Sequence, residues 1–451
     1  MEQHRAVPTS RLGRLLHLGR LGSGIAGGAI GEGLRQLGAG RRPSAADLLL
    51  TPANAHRLAE RLSEMRGAAM KLGQLLSMEA GDLLPQPLPD ILARLREYAH
   101  PMPLGQVAQV LDAAWGPGWK DRFRRFHFTP LAAASIGQVH EAETKDGRRL
   151  AIKIQYPEIA RSIDSDLENV AALLRLFRLL PPGMALDPLL DEAKRQLHLE
   201  TDYVFEAEQM RAYGAALGGQ VGLRVPEVAG DLTTTTVLAM DLLEGAPIES
   251  LASAPRPLRD RTATRLVDLA LRELFDWGLV QTDPNFANFR YRAECDEIVL
   301  LDFGAVRRYE PERITALRGL LTAALAGDDT VIQEAAVAVG YLRADDPRPM
   351  RDGVLGLIKT AAEPARGPDP FDFSTGDLSE RLSEQVLSLR LEQGFGRLPP
   401  PDVLYLHRKL GGLYLLCKRL RARVPVSELT RRWSDSCRLD ALDPAVGAAS
   451  H

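Results

Sequence analysis

The chain has 451 residues, of which 45% are hydrophobic and 25% charged, and its net charge is -3. That length exceeds one ordinary core, the composition is that of a soluble globular protein, and the slightly acidic balance argues against nucleic acid as a partner. The three cysteines, Cys295, Cys417 and Cys437, lie far apart with no C-x-x-C spacing, which argues against a disulfide framework or a zinc site and for a reducing compartment.

Residues 1–45 are small, basic and glycine-rich. Within them "RLGSGIAGGAIGE" holds only eleven uncharged residues between Arg20 and Glu32, five of them glycine. A spanning helix needs roughly 18 apolar residues, so the stretch reads as an interfacial segment or, equally, as a flexible leader. Residues 46–122 read as helical. Thr51-Pro52 opens the pattern, and Leu58, Leu62, Met65, Ala69, Leu72 and Leu76 recur at three- and four-residue steps on one face. "DLLPQPLP" breaks this helix, and "DILARLREYAH" starts another.

From residue 123 to 243 the texture becomes β-rich. Asp146-Gly147 marks a hairpin turn, and a second hairpin is expected over 223–245, turning at Gly230-Asp231. Helices are expected between them, over 157–180 and 187–215. Residues 244–437 read as mostly helical. The helix 260–277 ends at Gly278, "FRYR" and "EIVLL" form two short strands joined by "AECD", and everything beyond 305 reads as helix. Residues 438–451 form a tail.

Four motifs follow one another on these elements in the order used by protein kinases. The kinase phosphate loop G-x-G-x-x-G-x-V has Ala132, Ala134, Gly137 and Val139 at its fixed positions, and the following strand ends in Ala151-Ile152-Lys153. Asp283 and Asn288 have the D-x-x-x-x-N spacing, and Asp302-Phe303-Gly304 is a DFG triplet. If 289–292 and 298–301 pair as a hairpin, Asn288 and Asp302 lie at its open end, where two oxygen ligands can share a hard cation. In a phosphoryl-transfer site Asp302 would hold Mg²⁺, Asn288 a second metal, and Asp283 would orient or deprotonate the nucleophile, while Lys153 would steady the phosphates. Taken singly, Asp302 and Asp283 read as turn residues and Lys153 as a solvated strand end; their joint order points to a nucleotide site.

Three departures argue against an ordinary protein kinase. Gln281-Thr282 replaces the catalytic-loop His-Arg, no A-P-E segment follows the DFG triplet, and alanines stand where the phosphate loop calls for glycine. Alanine stiffens such a loop, yet its backbone N–H groups can still point inward.

Met70-Lys71-Leu72-Gly73-Gln74, Ala132 through His140, Glu200-Thr201-Asp202-Tyr203, Gln281 through Asn285 and Leu301 through Ala305 together resemble the signature set of the UbiB family. These are atypical protein-kinase-like proteins associated with ubiquinone biosynthesis. The resemblance covers roughly residues 5–435. It implies an α+β, bilobal protein-kinase-like fold, with a small antiparallel-sheet N-lobe, a helical C-lobe, and an N-terminal helical extension covering the active site. It further implies that Lys71 and Gln74 belong to the KxGQ motif of that extension, and that Glu200 and Asp202 form the ExD motif supporting it, all four in a regulatory role. Glu206 falls where the partner of Lys153 is expected. Ala132, Ala133, Ala134, Ser135, Ile136, Gly137, Val139, Lys153, Glu206 and Met240 make up the expected nucleotide-binding set.

The cofactors so implied are ATP or ADP and Mg²⁺. The partners are adenine nucleotide, lipid or quinone intermediates, the membrane surface and pathway enzymes, with no nucleic acid. A cytoplasmic location with peripheral membrane contact is expected. Two functions remain open: an Mg²⁺-dependent ATPase or small-molecule kinase supporting ubiquinone or related isoprenoid-lipid synthesis, and a catalytically weak nucleotide-sensing scaffold. A conventional protein kinase is disfavoured by the missing A-P-E segment.

Overall fold

A computed structural model describes residues 62, 65–80, 102–134, 136–157, 159–177, 179–180, 186–392 and 399–434. The leader 1–45, the tail 438–451 and the break at "DLLPQPLP" lie outside the described residues. By their internal contacts the described residues form two units, one of residues up to 212 with 226–243, the other of 213–225 with those from 244 onward.

The first unit contains α1 (Arg66–Ala80), α2 (Leu104–Trp115), strands β1 (Phe123–Phe126), β2 (Ala132–Ala133), β3 (Gly137–Thr144) and β4 (Arg149–Gln155), then α3 (Ile159–Leu176), α4 (Leu186–Glu200), the start of α5 (Tyr203–Leu217) and, after β5 (Leu223–Arg224) of the second unit, β6 (Val237–Asp241). Its antiparallel sheet has the order β1-β3-β4-β6, with β2 paired to β3. Alternation along β4 sends Leu150, Ile152 and Ile154 into a core with Val107, Leu111 and Trp115 of α2. Lys153 lies between them in sequence and so points to the opposite face. On the other side α1, α3 and α4 share a second core, in which Leu72, Leu76, Leu167 and Ala193 are fully or almost fully buried.

The Asp146-Gly147 turn joins β3 to β4 as expected, with Gly147 at φ 89°. Two expectations need correction. The helix expected over 187–215 is two helices, because Asp202 caps the second: its Oδ1 accepts the backbone N–H of Val204 (3.0 Å) and Phe205 (3.2 Å). The hairpin expected over 223–245 forms only in its inner part, where residues 227–229 run antiparallel to 239–241. Leu223 and Arg224 pair in parallel with a strand of the second unit, while β6, paired with β4, meets the segment before it in a single antiparallel bridge, Val228↔Met240.

The second unit holds the end of α5, β5, β7 (Ala246–Pro247), α6 (Arg256–Phe275), β8 (Leu279–Gln281), β9 (Phe289–Arg292), β10 (Glu297–Leu300) and β11 (Val306–Arg308). Helices α7 (Pro311–Ala326), α8 (Asp329–Val339), α9 (Arg348–Ala361) and the single turn α10 (Glu363–Arg366) follow. The chain continues through β12 (Phe371–Asp372), α11 (Leu378–Glu392), α12 (Pro401–Leu420), β13 (Arg423–Val424) and α13 (Val426–Ser434). The expected pairing of 289–292 with the following strand is present, from Glu297↔Arg292 to Leu300↔Phe289. The region beyond 305 is not wholly helical: β11 pairs with β8, and β12 with β13. Helix α6 stops at Phe275, and Gly278 takes a left-handed φ of 60° three residues later.

Candidate active site

In the first unit the alanine-rich loop is a tight hairpin. Ala132 pairs with Val139 and Ala133 with Gln138, and the Ala134 N–H donates to the Gly137 carbonyl at 2.8 Å. Ile136 is buried and anchors the loop in the core below it. Ser135 lies outside the described residues. Gly137 is required by space: a Cβ there would sit 2.2 Å from the Ile154 carbonyl oxygen. That one glycine of the three is indispensable to the strand contact, whereas Ala132 and Ala133 are exposed.

Lys153, in register with Val139 on one side and Leu238 on the other, points to Glu206 on the first turn of α5. Its Nζ donates to both carboxylate oxygens, at 2.8 and 2.9 Å, and lies 5.0 Å from the centre of the Tyr203 ring. Glu206 is 2% exposed and the lysine side chain 12%. A bidentate, nearly buried pair fixes the lysine rotamer. Met240 is buried on β6, opposite Ala151. Lys71, also buried, donates a short hydrogen bond to Glu200 at the end of α4. Gln74 lies on the same helix with its side chain outside the described residues, and Asp202 serves as the cap of α5.

In the second unit the β9–β10 hairpin delivers Asn288 and Asp302 to one end, where the Leu301 N–H donates to the Asn288 carbonyl at 3.0 Å. The Asn288 amide donates to Asp283 Oδ2 at 3.0 Å, which turns its own oxygen away from that carboxylate. Asp302 Oδ1 accepts the Gly304 N–H at 3.0 Å, and the Gln281 amide donates to the Asp302 carbonyl at 3.2 Å. Thr282 donates its hydroxyl to the Ala305 carbonyl at 2.7 Å. Thus Gln281-Thr282, noted above as replacing His-Arg, tie the Asp283 loop to the Asp302 loop.

Several contributors were missed in the sequence because they come from distant helices. Arg408 of α12 donates to Asp283 Oδ1. Lys409 reaches Glu273 of α6, with Nζ 3.1 Å from Oε1 and 2.9 Å from Oε2. Glu273 also accepts a short hydrogen bond from the Tyr213 hydroxyl, and its burial raises the carboxyl above its ordinary range against the pull of Lys409 and Tyr213. Tyr213 in turn packs on Phe303 at 5.1 Å between ring centres. A lysine or arginine inside an apolar helix is the only sequence signal for these, and it does not name the partner.

The donors suit a hard cation in part. Among the described residues no group of three or more His, Cys, Asp or Glu gathers as a metal cage. One carboxylate and one amide oxygen beside a second carboxylate fit Mg²⁺, which binds one or two carboxylates and completes its shell with substrate phosphates and water.

The sequence profile described as the ABC1 atypical kinase-like domain matches residues 94–336. The chain belongs to that family, the UbiB group of kinase-like proteins. It is 38% identical over 427 residues to the mitochondrial atypical kinase COQ8 of Saccharomyces cerevisiae, across 94% of this chain and 85% of the relative. It is 35% identical over 429 residues to the mitochondrial atypical kinase COQ8B of Rattus norvegicus, across 95% of this chain and 81% of the relative. Among solved structures, a Mycobacterium tuberculosis protein in complex with erythromycin superposes with a TM-score of 0.58 at 26% identity, covering 84% of this chain and 95% of the other. The ABC1 kinase-like chain therefore has the mixed α+β kinase-like fold read from its motifs. Among its described residues no helix is long and apolar enough to cross a membrane.

Proposed function

We propose that this ABC1 kinase-like protein is an Mg²⁺-dependent ATPase or small-molecule kinase that supports ubiquinone or related isoprenoid-lipid synthesis at a membrane surface. The observation that carries the reading is the linked set Asp283, Asn288 and Asp302 at one end of the β9–β10 hairpin. The first unit offers an ordered lysine–glutamate pair beside a phosphate-type hairpin, and the second offers the oxygen donors.

Asp302 and Asn288 would hold Mg²⁺, which when bound neutralises phosphate charge. Asp283 orients the attacking oxygen or accepts its proton, with its own carboxylate fixed by Asn288 and Arg408. Lys153, locked by Glu206, steadies phosphate oxygens. The missing A-P-E segment supports a substrate other than a peptide, and the UbiB kinship supports a lipid pathway.

The weaker-catalysis reading, a nucleotide-sensing scaffold, draws support from one feature: both Asp283 oxygens already accept strong donors.

The deciding experiment is Mg²⁺-ATP hydrolysis by the purified protein, with and without anionic liposomes. Asp302→Asn is expected to reduce turnover to background, and Asp283→Asn to lower it by about 10²–10⁴-fold. Full turnover in Asp302→Asn would sink the enzymatic reading. Nucleotide binding without turnover in the unmodified protein would select the scaffold.

A further inference from the structure

Helix α12 meets the Asp283 loop at two positions and helix α6 at a third. Arg408 donates to Asp283, Lys409 to Glu273, and Gly412 lies so close to Pro284 that a Cβ there would sit 2.0 Å from the proline Cβ. Residues 408 and 412 are one turn apart on a shared face, with 409 beside them. Helix α12 is thus seated on the loop that carries Asp283.

Glu273 is the junction beneath that contact. It is wholly buried, and Lys409 is 6% exposed. Its carboxylate takes donors from two separate places, the Tyr213 hydroxyl and the Lys409 ammonium. Each donor has a second connection toward the chemistry. Tyr213 packs on Phe303, next to Asp302, and Lys409 neighbours the arginine on Asp283. Glu273, Lys409, Gln281, Asn288 and Asp302 line one small cavity.

A buried ion pair is a poor way to glue helices together, since apolar residues of similar volume hold them as well or better. What a carboxylate can do, and leucine cannot, is accept several directed hydrogen bonds at once. We propose that the buried Glu273–Lys409 pair is the positioning element that keeps the Asp283 loop and the Asp302 loop in register for metal binding. Both act through others: Glu273 through Tyr213 on Phe303, and Lys409 through the α12 contact with the Asp283 loop. The inference rests on reading Asp302 and Asn288 as metal-binding residues.

The test replaces both charges together, Glu273→Leu with Lys409→Met, so that no lone charge is left in the core. Three quantities are read in the full-length protein: the melting midpoint, the affinity for a fluorescent ATP analogue with and without Mg²⁺, and ATP turnover. The double variant is expected to melt near the unmodified protein and to bind the analogue equally well without metal. Its gain in affinity on adding Mg²⁺ should fall by about 10–100-fold, the usual effect of losing support behind a metal ligand. A folded double variant with an undiminished Mg²⁺ gain would overturn the proposal.

Should the double variant not fold, Tyr213→Phe removes one hydrogen bond to Glu273 and keeps the ring on Phe303. Its Mg²⁺ gain should also fall, and an unchanged gain would overturn the proposal. If the unmodified protein gains affinity with Mg²⁺ but hydrolyses nothing, the ATPase reading fails, while this inference is still decided by the variants. If it gains nothing from Mg²⁺, the metal reading and this inference fall together.

Discussion

Two lysine–glutamate pairs, one in each unit, use the same chemistry in opposite settings. Lys153–Glu206 joins a sheet strand to a helix, and its lysine side chain retains 12% of its exposure. Lys409–Glu273 joins two helices, with a carboxylate side chain at 0% and a lysine side chain at 7%. An ammonium with residual access can give up part of its shell to an incoming phosphate, whereas a sealed one can only hold what surrounds it. The first is therefore suited to contacting a ligand and the second to fixing geometry.

Unpairing each lysine is the strongest way to break that comparison. Glu273→Leu strands the Lys409 ammonium in the core and should cost about 3–5 kcal/mol of stability. Glu206→Gln keeps a hydrogen-bond acceptor beside a lysine that can turn toward water, and should cost about 1–3 kcal/mol. Denaturant midpoints for the two variants measure the difference. A larger loss in Glu206→Gln would reverse the assignment of roles.

The glycine pair on α12 sharpens the same point at a smaller scale. Gly411 has nothing within 4 Å of where its Cβ would be, while at Gly412 the Cβ would strike Pro284. Gly411→Ala should be neutral or stabilise the helix by about 0.5–1 kcal/mol, the ordinary propensity difference. Gly412→Ala should cost about 1–3 kcal/mol through overpacking, and should lower turnover by displacing the Asp283 loop. Equal effects in thermal melting would mean that α12 does not press on that loop.

What was legible in the sequence divides along similar lines. Local chemistry was readable: the Asp146-Gly147 turn, the β9–β10 hairpin and the D-x-x-x-x-N and DFG spacings each lie within a few residues and carry their own geometry. Glu206 came only through the family resemblance, because 53 residues separate it from Lys153. The Asp202 cap was missed because helical texture runs on both sides of it, and an aspartate there reads equally as a surface charge. The strand at Leu223 was misassigned for a related reason. Two apolar-flanked residues before a proline suit a hairpin, but their partner is β10, some 75 residues later. Arg408 and Lys409 were unreadable, since a helical charge says nothing of the carboxylate it will meet about 130 residues away.

The smallest effect concerns the turn that closes the β9–β10 hairpin. Asp296 sits there with φ 50°, and its carboxylate receives Arg265, Tyr291 and Arg261. Burial alone would raise this carboxyl, but the hydrogen bonds from those three residues hold it down at about 2. Because the folded value lies below the ordinary one of about 3.9, the group stabilises the fold above pH ~4 and loses that contribution as pH falls toward 2. The side chain is 36% exposed, so solvent screening limits the effect to about 1 kcal/mol or less. Asparagine tolerates the left-handed conformation, so Asp296→Asn removes the charge without straining the turn. Its melting temperature should decline less steeply between pH 4 and 2 than that of the unmodified protein. Identical slopes would show that the arginines do not anchor this hairpin through charge, and that the open end carrying Asn288 and Asp302 is held by strand pairing alone.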